Sequence, residues 1–163
     1  MVRILKYAFV LGLLHMMLLV MFSCNRCKKT YCPYNSSCYR GECICAAGYE
    51  GTNCDITSKD KYLGNYWVTE DCHGGTGGGS GYFSSITDGN DVEDVFINNI
   101  LNTGWFIEAE VQGNSIAIPS QTVGSMTIDG DGNYNPTNKR LTLYINHNLG
   151  GNSSQCTLSY FKQ

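Results

Sequence analysis

The residues of this 163-residue chain that could do chemistry are its cysteines, its histidines and a scatter of carboxylates. Six of the nine cysteines, Cys27, Cys32, Cys38, Cys43, Cys45 and Cys54, crowd into one short stretch. The apolar content there is little more than Ile44, Ala46, Ala47 and a few tyrosines. Such a stretch cannot surround a hydrophobic core, so cross-linking must replace burial by restricting the unfolded chain. Zinc is the competing use of clustered cysteines. It is disfavoured here, because no histidine lies nearby and no familiar four-ligand spacing appears. Spacing alone leaves the pairing open.

Beyond the first 23 residues the histidines are His73 and His147. His73 follows Glu70 and Asp71, a local set that could meet a metal, and leads into the run Gly74-Gly75-Thr76-Gly77-Gly78-Gly79. That run superficially resembles an oxyanion-hole segment, but no G-x-S-x-G elbow accompanies it. No lysine follows it either, so it is not a phosphate loop. A connecting loop is the expected reading. Asp129, Asp131, Asn133 and Asn135 carry the alternating oxygens of a calcium loop, yet Arg140 stands where the bidentate glutamate belongs. Asp129–Asn133 is therefore expected to be a hairpin turn. Glu108 and Glu110 sit i,i+2 and could serve acid–base chemistry, but exposed strand charges explain them more cheaply. The chain is thus expected to carry no catalytic residues, no metal and no cofactor, and not to be an enzyme.

These residues need elements to hold them. From Tyr62 onward apolar and polar residues alternate in eight short runs: 62–69, 81–86, 92–97, 105–111, 115–118, 125–128, 141–145 and 156–161. The breaks are rich in Gly, Asn and Asp, as turns demand. In the clearest run Ile107, Ala109 and Val111 share one face while Phe106, Glu108 and Glu110 share the other. Gln112-Gly113-Asn114 then turns into Ser115–Ile118, so Ile107, Ala109, Val111, Ile116 and Ile118 are the expected inward set. About eight strands without a sustained helical period predict an antiparallel barrel or sandwich. Tyr66, Trp67, Tyr82, Trp105 and Tyr144 could line a cavity or fill it. Adjacent Tyr66 and Trp67 must face opposite ways, so one of them is expected to plug an interior that is filled or shallow.

Charge is uneven. Residues 60–163 contain eleven acidic and four basic residues, with no Lys or Arg between Lys61 and Lys139. A nucleic-acid surface needs clustered positive charge, so that class of partner is not expected. Residues 24–59 are mildly basic. Ile56–Asp60 is expected to be a short linker between the two parts. Asn35 and Asn152 each begin an N-x-S sequon, which would matter only in a eukaryotic secretory pathway.

The N-terminus is expected to be an address. Arg3 and Lys6 precede an apolar run from Tyr7 to Phe22, short of the ~20 residues of a spanning helix but suited to an export signal over residues 1–23. Leu19-Val20-Met21-Phe22-Ser23-Cys24 resembles the lipobox of bacterial lipoproteins, departing from the stricter pattern at Met21-Phe22. The resemblance implies cleavage before Cys24 and lipid attachment to it. Setting Cys24 aside leaves an even number of cysteines for disulfides.

The segment Cys43-Ile44-Cys45-Ala46-Ala47-Gly48-Tyr49-Glu50-Gly51-Thr52-Asn53-Cys54 resembles the C-terminal half of an EGF-like domain. That resemblance spans residues 24–59 as a module and implies the pairs Cys27–Cys38, Cys32–Cys43 and Cys45–Cys54. Gly41 and Gly51 suit its turns. The acidic entry motif of the calcium-binding members is missing, so calcium is not expected. Cys72, after the first run, and Cys156, in the last, then remain to tie the two ends of residues 60–163 together.

Several pieces of that second part resemble small lipoprotein domains of the Bacteroidetes with a lipocalin-like barrel. They are Tyr62–Thr69 before Cys72, Val95–Asn99, Gly113–Thr122 and Leu141–Ile145. The expected whole is mostly β: a monomeric lipoprotein at a bacterial outer membrane or cell surface, held by its N-terminal lipid. Its expected role is non-catalytic binding of a protein, a glycan or a small apolar ligand. The rivals are lipocalin-like carriage of an apolar ligand and a eukaryotic secreted EGF-containing factor.

Overall fold

The computed structural model describes residues 26–33, 35–73 and 81–163. Residues 1–23, expected to be an export signal, Cys24 and the glycine run Gly74–Gly79 lie outside the described residues.

The N-terminal part is a disulfide module. After a short 3-10 turn at Arg26–Lys29, strand β1 (Ser36–Tyr39) pairs with β2 (Glu42–Cys45). Arg40 and Gly41, both with positive φ, form the two-residue turn between them. Strand β3 (Tyr49–Glu50) pairs with β4 (Ile56–Thr57). Among the described residues between 27 and 57 only Gly48 and Cys54 are buried, so cross-links must stand in for a core. The bonds are Cys27–Cys38, Cys32–Cys43 and Cys45–Cys54, the order of an EGF-like pattern.

The remaining strands are β5 (Gly64–His73), β6 (Tyr82–Asp88), β7 (Asp94–Asn98), β8 (Phe106–Gln112), β9 (Ser115–Val123), β10 (Met126–Asn135), β11 (Arg140–Leu149) and β12 (Asn152–Lys162). They form a closed antiparallel barrel in which each strand pairs with its chain neighbours and β12 returns to β5. Closure settles the choice between barrel and sandwich and removes exposed sheet edges. Alternation drives it: along β8 the residues are by turns exposed and buried, with Ile107, Ala109 and Val111 inside. Ile116 and Ile118 of β9 also point inward. Cys72 and Cys156 sit directly opposite one another on β5 and β12 and are bonded.

Two expectations are corrected. Asp129–Asn133 is not a turn; it lies in the middle of β10, paired throughout with β11. The turns are Gly124-Ser125 on one side, where Val123 pairs with Met126, and residues 136–139 on the other, where Asn135 pairs with Arg140. The two glycines of the run have a steric reason. A Cβ on Gly130 would stand 2.3 Å from the Tyr144 carbonyl oxygen, and one on Gly132 would stand 2.4 Å from that of Thr142. Replacing Gly132 with alanine must push β10 off β11, at a cost of about 1–3 kcal/mol as an overpacked site. The loss should appear as a lower midpoint in urea unfolding at unchanged slope.

Nor is Ile56–Asp60 a slack linker. Ile56 and Thr57 complete a strand pair, and Ser58–Lys61 form a 3-10 turn that closes the lower end of the barrel. Ser58 is buried, and its Oγ accepts the Gly113 amide at 3.2 Å. Lys59 pairs with Asp88 and donates to the Asp91 carbonyl, while Lys61 pairs with Glu50 of the module at 2.6 Å. A Cβ on Gly48 would approach Val92 and Glu93 to 2.9 Å, so module and barrel meet closely there.

Candidate binding surfaces

Side chains of the described residues pack across the lower lumen. Tyr62 and Tyr134 pack at the lower end with ring centroids 5.4 Å apart, and Tyr66 meets Tyr160 edge-on at 5.6 Å above them. Tyr66 Oη donates to the Tyr62 carbonyl at 2.5 Å, and Tyr62 Oη donates to that of Gly113 at 3.2 Å. Around them Val68, Ile86, Val95, Ile97, Ile107, Leu141, Leu143, Ile145 and Leu158 are almost completely buried. An eight-stranded barrel leaves an interior that side chains can just close, and these residues form its core.

Of the five aromatics considered for the interior, Tyr66 and Tyr82 enter it. Trp67, Trp105 and Tyr144 do not. Trp67 lies on the outer wall, edge-on to Phe83 at 4.9 Å, Trp105 rests over Gly124 at the upper rim, and Tyr144 is exposed on β11. Parity explains the division, because neighbours on a strand point to opposite faces.

The upper lumen is polar. Glu70 Oε2, Tyr82 Oη, Tyr160 Oη and His147 Nδ1 are buried atoms with no hydrogen-bond partner among the described residues. The two tyrosine hydroxyls lie close enough to each other and to Glu70 to feel their charge. Burial first, then Tyr160 and Glu70, raises the Tyr82 phenol well above its ordinary value; burial also raises that of Tyr160, with Ser84 and Tyr82 working against it and Glu70 adding to it. His147 Nε2 stands 3.6 Å from Cys156 Sγ.

The carboxylates singled out from sequence do not assemble a catalytic or metal site. Alternation along β5 sends Glu70 inward and Asp71 and His73 outward. Asp129, Asp131, Asn133 and Asn135 run along the outside of an extended strand, which cannot wrap an ion. Glu108 and Glu110 are exposed side by side on the outer face of β8. Among the described residues no group of three or more His, Cys, Asp or Glu could hold a metal ion.

The outer wall has two contrasting sides. On one, Phe161, Trp67 and Phe83 stand opposite each other across β12, β5 and β6, forming an aromatic strip. Phe83 is 66% and Phe161 40% exposed, and the Arg140 guanidinium caps the strip 6.0 Å from the Phe161 ring. Phe96 and Phe106 add an edge-on pair at 5.4 Å on β7 and β8. Sequence reasoning missed this strip. Its signal was the doublets Tyr66-Trp67, Tyr82-Phe83 and Tyr160-Phe161, each of which puts tyrosine inside and its neighbour outside.

The other side is polar and indented. A cleft of about 420 Å³ is lined by Glu93, Glu110, Ala117, Asp131, Asn133 and Tyr144, among others. A second of about 370 Å³ shares Asp131 and Tyr144 and adds His73, Asn146, Gln155 and Thr157. The amides there are fixed: Asn146 Nδ2 donates to Asp129 Oδ2, and Gln155 Nε2 to Asn146 Oδ1, both at 3.0 Å. No family model and no curated protein matches the chain.

Proposed function

We propose that this chain is a non-catalytic binding module displayed at a bacterial surface, tethered through lipidated Cys24 and touching its partner with the outer wall of the barrel. The observation that carries the reading is the tyrosine packing across the lower lumen. Tyr62, Tyr66, Tyr134 and Tyr160 occupy the space that a carrier would reserve for its ligand. The polar upper lumen argues the same way against an apolar guest. A hydrocarbon guest would offer no partner to Glu70 Oε2, Tyr82 Oη and Tyr160 Oη, which have none among the described residues, where each unmet polar atom costs about 1–3 kcal/mol. Outside, the strip of Phe161, Trp67 and Phe83 is the kind of exposed aromatic patch that marks a contact surface. The EGF-like module beneath the barrel supplies a cross-linked spacer from the anchor.

Two measurements test this. Membrane-extracted protein should begin at a diacylated Cys24, and Cys24→Ser should shift the chain from the membrane to the soluble fraction. A fluorescent long-chain fatty acid should show no saturable one-to-one binding to the full chain in detergent-free buffer. Saturable binding abolished by Leu143→Trp would place the ligand in the lumen and sink the outer-wall reading.

A further inference from the structure

Across the polar side of the barrel one outward row of side chains runs from strand to strand. Asp94 of β7 stands opposite Glu110 of β8, Glu110 opposite Ala117 of β9, Ala117 opposite Asp131 of β10, and Asp131 opposite Tyr144 of β11. The row continues through Thr157 of β12 to Asp71 of β5. Four of its seven members are carboxylates. Asp94 and Glu110 are like charges directly opposite one another, an arrangement that costs a sheet stability. Among the described residues neither Glu110, Asp131 nor Glu93 has an ion-pair partner. Three of the barrel's four cations are engaged elsewhere, and the fourth, Lys139 in the turn between β10 and β11, lies within electrostatic reach of Lys162. Lys61 is held by Glu50 and Asn114, Arg140 lies against Phe161, and Lys162 is turned to the Lys61 carbonyl.

Within this row Ala117 is the only small side chain, and it floors the larger cleft between Glu110 and Asp131. Neighbouring strands are about 4.8 Å apart, so the two carboxylates flank a gap of roughly 10 Å at backbone level. The exposed Tyr144 ring stands at one side of it. Planar cations match this chemistry best. A guanidinium stacks on an aromatic face and pairs with a carboxylate through two parallel hydrogen bonds, whereas an ammonium does neither as well.

We propose that the cleft formed by Glu93, Glu110, Ala117, Asp131 and Tyr144 receives an arginine-bearing segment of a partner protein. The inference rests on the outer-wall reading above and narrows it to one site and one partner chemistry. Charge complementarity selects the occupant: the wall is acidic, uncompensated and free of Lys and Arg from residue 62 to 138.

The test is calorimetric titration of the full chain in detergent with a capped hexa-arginine peptide and a capped hexa-lysine peptide at physiological salt. Hexa-arginine should bind saturably and more tightly than hexa-lysine. Glu110→Gln combined with Asp131→Asn should weaken it by about tenfold or more. Tyr144→Ser should erase most of the preference for arginine over lysine. Glu42→Gln, which removes one exposed charge from the disulfide module, should leave binding unchanged. The proposal is overturned if Glu42→Gln weakens binding as much as the cleft variants do, since the attraction would then be to net charge alone. Equal binding of the two peptides, no saturable binding, or capture of a neutral oligosaccharide in this cleft instead would also overturn it. A fatty acid in the lumen would defeat the outer-wall reading, while an empty lumen with a cleft indifferent to arginine would defeat this inference alone.

Discussion

Tyr62→Ala is expected to destabilise the barrel by about 3–5 kcal/mol, as truncating a large buried aromatic typically does. Tyr62 is fully buried although it precedes the first barrel strand. Its ring packs on Tyr134, its hydroxyl donates to the Gly113 carbonyl across the lower end, and its own carbonyl accepts from Tyr66. Alanine keeps that carbonyl but leaves a cavity and strips two partners. Burial first, and Glu50 second, raises the Tyr62 phenol above its ordinary value. The wild-type barrel should therefore be fully stabilised below about pH 10, where the unfolded phenol is still protonated, and lose stability as pH climbs above it. Tyr62→Phe, which preserves the ring, should cost only about 1 kcal/mol and soften that alkaline loss. Urea unfolding of the three proteins at pH 7 and pH 10.5 checks both statements. An alanine variant within 1 kcal/mol of the wild type would mean that the lower end is not closed by this ring.

The contrast between Tyr62 and the rest of the barrel shows what the sequence could reveal. Strand positions were legible because one face of each strand is apolar and the other polar, and a period of two is hard to mistake. Ile107, Ala109, Val111, Ile116 and Ile118 were readable as inward for that reason. Asp129-Gly130-Asp131-Gly132-Asn133 misled because its composition is that of a turn. Its glycines answer to the closeness of β11, a tertiary contact no local pattern carries. Ser58 misled in the opposite sense, since a polar residue in a polar run looks like linker until a distant amide, that of Gly113, is found to need its oxygen. The outer surfaces were the least legible. Where an aromatic doublet such as Tyr82-Phe83 puts a ring on each face, alternation says that one points outward but not which. The row through Glu110, Ala117, Asp131 and Tyr144 exists only once register is set. Register depends on turn lengths, which the misread turn at 129–133 obscured.

Replacing Cys72 and Cys156 together with alanine should remove about 4 kcal/mol of stability, lowering the melting temperature by roughly 15 °C or more while leaving the fold intact. The bond joins residues 84 apart, and loop-closure entropy in the unfolded chain grows with that separation. It also sits where the first and last barrel strands meet, the one seam not made by chain neighbours. The seam should nevertheless hold without it. From Gln155 to Lys162 every residue of β12 is paired with one of β5, and Leu158, Tyr160, Val68 and Tyr66 still bury their side chains beside it. Alanine suits both positions because the bonded sulfurs are shielded and an unpaired serine hydroxyl there would add its own penalty. The disulfide module should respond differently. Its three bonds close loops of only 9 to 11 residues, but they stand in for a core that its described residues lack. Graded reduction should therefore unfold the module while the barrel keeps its far-ultraviolet β signal and a cooperative, though lower, thermal transition. A double alanine variant as stable as the parent would show that the seam is held by its hydrogen bonds and packing alone. One that fails to fold would show that β12 cannot find β5 without the covalent link.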